Sequence, residues 1–483
     1  MHRSQKALAL VLAFLSTIIM SSICAFAAGT CGVSSCTGTS PWKAVSNSYA
    51  DVNYCVNSCA SSCENTALGK CQVIVPTGTG EVTWNSALVI TKGIDLIGPG
   101  PSNLTIKAGA NPMIQYKPSA ITGAGNYALR ISGFTFNTGS YGGIGLCGSG
   151  RSQGNCTSSN NMGAIAQTKI RIDHNSFIGI HGYVGLEIVG AFRGVVDNNT
   201  FDGYSAPNRS WGTGSGQSDW STFGPYTYGS SDTMYFEDNL YTNIGGYMVS
   251  DCDQGGRYAY RYNTISLGGD LAPVFDYHEG SSSSGVYGCF GGELYGNQII
   301  RNGYNTFLSN QRGGRVLGFY NDVAVGSGTG ILIYRDTSRG GPCPPSQNIT
   351  DQIQNNSYYW NNRKGVSGTL ISAYKGADVC GDTYPEYAIT ENVNFWTESA
   401  SFDGTAGIGC GTLAARPATC TVGVGYWATS QSCSDLTGMV GKKPASSITG
   451  TLYKCTAKDT WTAYYTPYTY PHPLRKPIPP KWK

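Results

Sequence analysis

Charge is scarce in this chain. Only 13% of its 483 residues are Asp, Glu, Lys or Arg, against about 25% in an ordinary globular protein. The 32 Lys+Arg and 29 Asp+Glu leave a net charge of +3, and no basic cluster stands out, which excludes nucleic-acid binding by a cationic stripe. With 12% aromatics, 32 of them Tyr, the composition is the reverse of a disordered chain. The Ala/Glu/Lys/Leu richness of a coiled coil or helical bundle is missing too. There is no C-x-x-C, so zinc-ribbon and haem-attachment chemistry have no footing. No apolar run reaches the roughly 20 residues that span a bilayer, so no membrane insertion is expected.

What is abundant is Gly, at 66 residues about twice the usual ~7% share, with Asn, Ser, Thr and Tyr. Arg3 and Lys6 precede an apolar run from Ala7 to Met20, and Ala25-Phe26-Ala27 offers a small-residue cleavage site. Residues 1–27 therefore read as a secretory signal. Ile23, where a lipobox needs a small residue, argues against lipidation at Cys24. Losing Arg3 and Lys6 lowers the formal charge from +3 to +1. Of the 17 Cys, Cys24 leaves with the signal, and the remaining even number suits disulfides in an oxidising compartment. Proximity alone suggests Cys147/Cys156, Cys252/Cys289, Cys343/Cys380, Cys410/Cys420 and Cys433/Cys455, with Cys31, Cys36, Cys55, Cys59, Cys63 and Cys71 as a separate N-terminal group.

A short pattern recurs: apolar, two polar residues, Asn, any residue, then aromatic or aliphatic. It runs Ile172-Asp173-His174-Asn175-Ser176-Phe177, Val196-Asp197-Asn198-Asn199-Thr200-Phe201, and onward through Asn239, Asn263, Asn297 and Asn356. Weaker copies surround Asn321 and, without the Asn, span Ile131–Phe136. From Asn175 to Asn199, Asn239 to Asn263 and Asn297 to Asn321 the step is 24 residues, and the others are longer. A fixed minimum with variable excess is the signature of a solenoid with loop insertions. Short β segments on either side of a tight corner make each repeat one coil of a parallel β-helix. Asn suits such a corner because it tolerates left-handed backbone and its amide bonds nearby backbone. Stacked every 4.8 Å or so, corner amides form a ladder. The spacing of Val52, Cys55, Val56, Cys59 and Cys63 predicts an amphipathic helix over 51–63 that caps the open end. Four segments follow: 1–27 signal, 28–80 Cys-rich cap, 81–400 β-helix, and 401–483 a Cys- and aromatic-rich module with a Pro-rich tail.

These Asn corners, with the entry Val73-Ile74-Val75-Pro76-Thr77-Gly78 and Ile90-Thr91-Lys92-Gly93-Ile94-Asp95-Leu96-Ile97-Gly98, resemble the right-handed parallel β-helix proteins of the pectate-lyase-like superfamily. The tail Tyr465-Thr466-Pro467-Tyr468-Thr469-Tyr470-Pro471-His472-Pro473-Leu474 is similar to that of uncharacterised secreted bacterial members. The resemblance implies the fold; a polysaccharide partner is expected from the polar cluster and aromatic insertions described next. Asp173-His174-Asn175 resembles part of the pectate lyase strand motif, and such residues also arise whenever a corner draws them. Arg312-Gly-Gly-Arg315 lacks the proline and histidine context of the lyase arginine motif, and the Gly-His-Gly of polygalacturonases is absent. Fold carries over more readily than chemistry.

The densest polar cluster is Asp251, Asp253 and Arg257, then Asp276 and His278, then Arg312 and Arg335. Each set lies between successive corners, so stacking should bring them onto one face. Asp251 and Asp253 flank Cys252 on one strand face, roughly 7 Å apart, within the ~6.5–9.5 Å used for inverting glycoside hydrolysis. The same pair with Asp276 is an oxygen set for Ca²⁺. Arg312 or Arg335 suits a uronate carboxylate, and His278 suits proton transfer. Together these favour β-elimination of a uronate-containing polysaccharide slightly over hydrolysis. A ladder of charge pairs on a solenoid face is the bland alternative, and it is the reading favoured for Asp173, Asp197, Glu237 and Arg261. Trp211, Trp220, Phe223, Tyr226 and Tyr228 fall in the longest insertion, suited to stacking on sugars or to folding over a satellite core. His174, His181 and His472 read as structural. Matches to G-x-G-x-x-G at Gly143–Gly148 and G-x-S-x-G at Gly150–Gly154 lack strand-to-helix context. A non-catalytic adhesive or glycan-binding solenoid is the rival to an enzyme.

Overall fold

The computed structural model describes residues 28–33, 35–63, 65–118, 127–148, 156, 167–179, 184–203, 207–211, 226–253, 255–271, 273–278, 288–324, 330–335, 355–378, 382, 385 and 388–476. The signal-peptide reading, Trp220, Cys343 and Cys380 lie outside them. Three long sheets of fourteen, eleven and ten strands form the faces of a parallel β-helix, and a four-stranded sheet forms a C-terminal module. One coil shows the plan: Phe192–Asp197 in the first sheet, Thr200–Asp202 in the second and Asn208–Trp211 in the third. The next coil repeats it with Met234–Glu237, Leu240–Ile244 and Ser250–Asp253, paired in parallel to the one before. Such crossovers wind right-handed for L-residues.

The ladder forms between the first two sheets. The side-chain amide nitrogen of Asn175 donates to Oδ1 of Asn199 at 3.1 Å, Asn199 to Asn239 at 3.1 Å, and Asn239 to Asn263 at 3.1 Å. The chain continues through Asn297 and Asn321 at 2.9 Å each and ends on Asn362 at 2.8 Å. Each Oδ1 also accepts the backbone N–H of the Asn before it in the ladder, as Asn239 does from Asn199 at 3.0 Å. Two sequence expectations change here. The terminal rung is Asn362, whereas Asn356 sits ahead of the strand Ser357–Trp360. The left-handed residue of each corner is the one before the Asn: His174, Asn198, Asp238, Tyr262, Tyr320 and Asn361, with φ between 51° and 56°, and Gly296 at 66°. The Asn is selected for its amide, and the ladder holds its neighbour in left-handed backbone whatever that neighbour is.

Inside, stacking follows the strand spacing of about 4.8 Å. Phe177 lies 4.7 Å from Phe201, which lies 5.1 Å from Tyr241. The N-terminal cap is the helix Tyr49–Asn57 followed by a 3₁₀ turn Cys59–Ser62, burying Val52, Cys55 and Val56. Cys31–Cys55, Cys36–Cys59 and Cys63–Cys71 tie it down. Solenoid strands begin at Gln72–Ile74, and Ala28–Gly32 and Thr39–Ala44 extend the first sheet, so the cap and the β-helix overlap at the expected boundary of 80.

The C-terminal module differs from the expectation in its pairing. Its disulfides are Cys410–Cys433 and Cys420–Cys455, crossing the proximity pairs, because the strand Gly425–Ala428 lies between Ile408–Gly411 and Thr451–Ala457. The module folds back along the outer face of the first sheet. There Asp173, Asp197, Glu237, Arg261, Tyr295, Phe319 and Trp360 share one register column. Trp427 packs on Trp360 and Phe319 at 5.2 and 5.4 Å. Further along, Arg261 donates to the carbonyls of Tyr468 and Thr469, and Arg475 pairs with Glu237 at 2.7 Å. Burial would raise the Glu237 carboxyl, but the Arg261 and Arg475 charges outweigh it and hold the group below its usual value. The charge column is thus a ladder, as read, but one buried under the tail rather than solvated. His472 is structural: its backbone N–H donates to Glu237 and its Nδ1 accepts from the Leu474 N–H.

Replacing Asn239 by Ala strands the backbone and side-chain donors of Asn199 and the carbonyl of Val196. At about 1–3 kcal/mol per buried unsatisfied group, we expect Asn239→Ala to cost at least about 3 kcal/mol in urea unfolding. Asn137→Ala, a partly exposed position on the second sheet, should cost under about 1 kcal/mol.

Candidate functional site

The third sheet carries the cluster. Register runs Arg209, Asp251, Asp276, Asn310, Leu332 through five successive strands. Side chains two apart share a face, so His278 stands beside Asp276, and Arg312 beside Asn310 one rung on. The pairing continues just past the strands, with the His278 N–H on the Cys252 carbonyl and the Arg312 N–H on that of Tyr277, both at 2.9 Å. Cys252 points the other way and is bonded to Cys289, as its spacing suggested, and the Cys289 N–H donates to the His278 carbonyl.

Four of the expected residues meet. His278 Nε2 is 2.9 Å from Asp276 and 3.6 Å from Asp251. Arg312 grips Asp276 with Nε at 3.2 Å and with Nη2, which also touches His278 Nε2. All are buried: Asp276 is 1% exposed, His278 2%, Asp251 5% and Arg312 8%. Burial would lower the His278 pKa, but the Asp276 hydrogen bond and the Asp276 and Asp251 charges outweigh it and raise it above the usual value. For Asp276 burial pulls upward, and His278 and Arg312 together overcome it and hold the carboxyl low. Two carboxylates thus face an imidazole of raised basicity and a guanidinium. Asn310, in register with Asp276 and nearly buried, was missed by the sequence reading. Only the register, not its residue type, marks it.

The remaining candidates do not join this group. Asp253 shares the strand with Asp251 but is outside the set of ligand atoms of Asp251, Asp276 and His278 that lie within 4.8 Å of one another. That set mixes nitrogen with oxygen, and Arg312 already brings positive charge to Asp276 and His278, so it is a poor match for the all-oxygen Ca²⁺ shell expected. Arg257 lies on the first sheet, where it is ion-paired with Asp232 and stacked 4.4 Å over Phe290. Tyr226 is 6% exposed and bonded to Thr233, and Tyr228 packs against it at 4.6 Å and against Tyr465. These two tyrosines serve the satellite core beneath the C-terminal module, not an open sugar platform. Trp211 pairs through its backbone with Asp253, and Arg335 with Asp378; their side chains lie outside the described residues.

No family model matches this chain. No curated protein matches it either. Among solved structures it is similar to Geobacillus virus E2 - ORF18, at 13% identity and a TM-score of 0.27, over 65% of this chain and 56% of that one. The chain thus spans little more than half that protein's length, and a likeness this loose carries no argument about function. Seven disulfides among the described residues suit an oxidising compartment. Among the described residues no helix is long and apolar enough to cross a membrane.

The pKa directions give a signed expectation. His278, raised in the folded state, adds stability that is full below about pH 6.5 and is lost as pH rises through its folded value. Asp276, lowered, adds stability that is present above about pH 4 and is lost as pH falls through its folded value. Urea unfolding from pH 3 to 9 should show His278→Gln flattening the alkaline decline and Asp276→Asn the acid one. Asp276→Asn should also cost about 3 kcal/mol at neutral pH by stranding Arg312.

Proposed function

We propose that this is a secreted carbohydrate-active β-helix protein of the pectate-lyase-like kind, cleaving a polysaccharide at the Asp251/Asp276/His278/Arg312 cluster. What supports the reading is that an imidazole with raised basicity bridges two carboxylates drawn from adjacent coils. Buried titratable groups pushed from their ordinary values in one cluster are characteristic of acid–base chemistry. Asp251, the carboxylate not gripped by Arg312, is the base. His278, whose neighbouring carboxylates favour its protonated form, supplies the proton to the departing oxygen.

In a uronate substrate the base takes the proton beside the carboxyl group. The bond from the neighbouring carbon to the glycosidic oxygen breaks, that oxygen takes a proton, and a double bond remains in the sugar. Arg312 must then share its charge between Asp276 and the substrate carboxylate. In hydrolysis the same base activates water and no double bond forms. A second reading, a non-catalytic solenoid whose cluster is a structural ion network, is favoured by one observation: Arg312 and His278 both engage Asp276, and the four side chains are nearly solvent-free.

Purified protein is incubated with a panel of uronate and neutral glycans while ultraviolet absorbance and reducing ends are followed. New absorbance with new ends marks elimination, and ends alone mark hydrolysis. Asp251→Asn and His278→Gln should each lower the rate at least 100-fold, at the low end of what general acid–base groups contribute. Absence of cleavage on every glycan overturns the enzyme reading.

A further inference from the structure

The corner column between the first two sheets is covered along most of its length. Tyr470 Oη and the Lys443 N–H bond Asp238, the Ile448 N–H bonds the Tyr262 hydroxyl, Gly441 bonds Gly296, and Tyr320 bonds Ser432. Every one of those partners belongs to the C-terminal module. The cover stops at the two corners below, His174 and Asn198. There the loop of Pro99 to Asn103 stands off from the corner strands and leaves a hollow of about 350 Å³, within the range of small-ligand pockets.

The chemistry of this hollow is specific. His174 Nδ1 is 2.7 Å from Asp173, whose carboxylate is completely buried and also held by both Nε and Nη2 of Arg130. Facing a carboxylate, Nδ1 carries the proton, which leaves Nε2 as the open nitrogen. The His174 side chain is 41% exposed. Among the described residues Nε2 has no protein partner, and neither have the hydroxyls of Ser102, Ser176 and Thr200. The amide nitrogen of Asn198 is committed to Asp197 at 2.8 Å and that of Asn103 to the Pro99 carbonyl at 3.0 Å, which leaves both amide oxygens to accept. Pro99 and Pro101 supply apolar wall. No Lys, Arg, Asp or Glu lines the space.

We infer that this hollow is a binding site for an uncharged saccharide, separate from the Asp251 cluster on the third sheet. Hydroxyl groups that both donate and accept match the mixed lining, and the C–H face of a sugar ring matches the prolines. A uronate would enter without a cation to meet it, and burying an unpaired carboxylate is costly. The two left-handed corners have a use here: φ of 53° at His174 and 54° at Asn198 are tolerated at successive rungs that the module leaves open. The site stands whether or not the cluster cleaves glycans.

The chain has five histidines, so ¹⁵N-histidine labelling gives a resolvable imidazole spectrum in the full-length protein. It is titrated with hexamers of glucose, mannose, xylose and N-acetylglucosamine, and with a galacturonate hexamer. At least one neutral hexamer should shift the His174 Nε2 signal. Thr200→Val, which keeps shape but loses the hydroxyl, and His174→Asn, which suits left-handed backbone, should each weaken that binding about tenfold by titration calorimetry, the loss of one hydrogen bond. No movement of the His174 signal with any neutral hexamer, a response to galacturonate alone, or unchanged affinity in both variants would overturn the inference. The His278 signal reports the other site in the same spectra, so failure of one reading is distinguishable from failure of the other.

Discussion

Everything in this molecule depends on one repeated hydrogen bond, the amide of one corner Asn to the next. Parallel strands could slip past one another, since backbone pairing is indifferent to register and a one-residue slip would turn every side chain to the other face. The ladder forbids it. With the Asn175–Asn362 chain in place, each strand starts at the same height in its coil, and residues tens of positions apart become rung neighbours. Phenylalanines then stack inside, carboxylates and arginines line up outside, and Asp276 meets Arg312 across 36 residues of chain.

That regularity also explains the C-terminal module. The outer face of the first sheet changes along its column from charged residues to aromatic ones, and an aromatic column cannot be left in water. The module's Trp427 and Tyr465 cover the aromatic end, while at the charged end the tail's Arg475 pairs with Glu237 and its carbonyls accept from Arg261. One segment thus matches both halves of the column, and the corners it does not reach are those that open onto the hollow beside His174.

The fold was legible because it repeats. The Asn spacing revealed coils, and the Cys252–Cys289 link and the capping helix followed from local spacing. Asn356 was mistaken for Asn362 because both sit in Asn-Asn pairs beside a strand, and only stacking tells them apart. Convergence of Asp251, Asp276, His278 and Arg312 was readable from register. The roles of Tyr226 and Tyr228 were not, because whether an aromatic insertion faces water depends on Tyr464 and Tyr465 of the C-terminal module, and Arg257 is taken up by Asp232 and Phe290 on another sheet. The crossed disulfides were hidden for the same reason, being set by strand order in a separate sheet.

The most direct test of register-driven convergence is the coupling energy between Asp276 and Arg312, from urea unfolding of Asp276→Asn, Arg312→Gln and the double variant. Stacked side chains in one buried network predict single costs that fail to add, with a coupling near the upper part of the 0.5–3 kcal/mol range for contacting residues. Additive costs, within about 0.5 kcal/mol, would contradict the account.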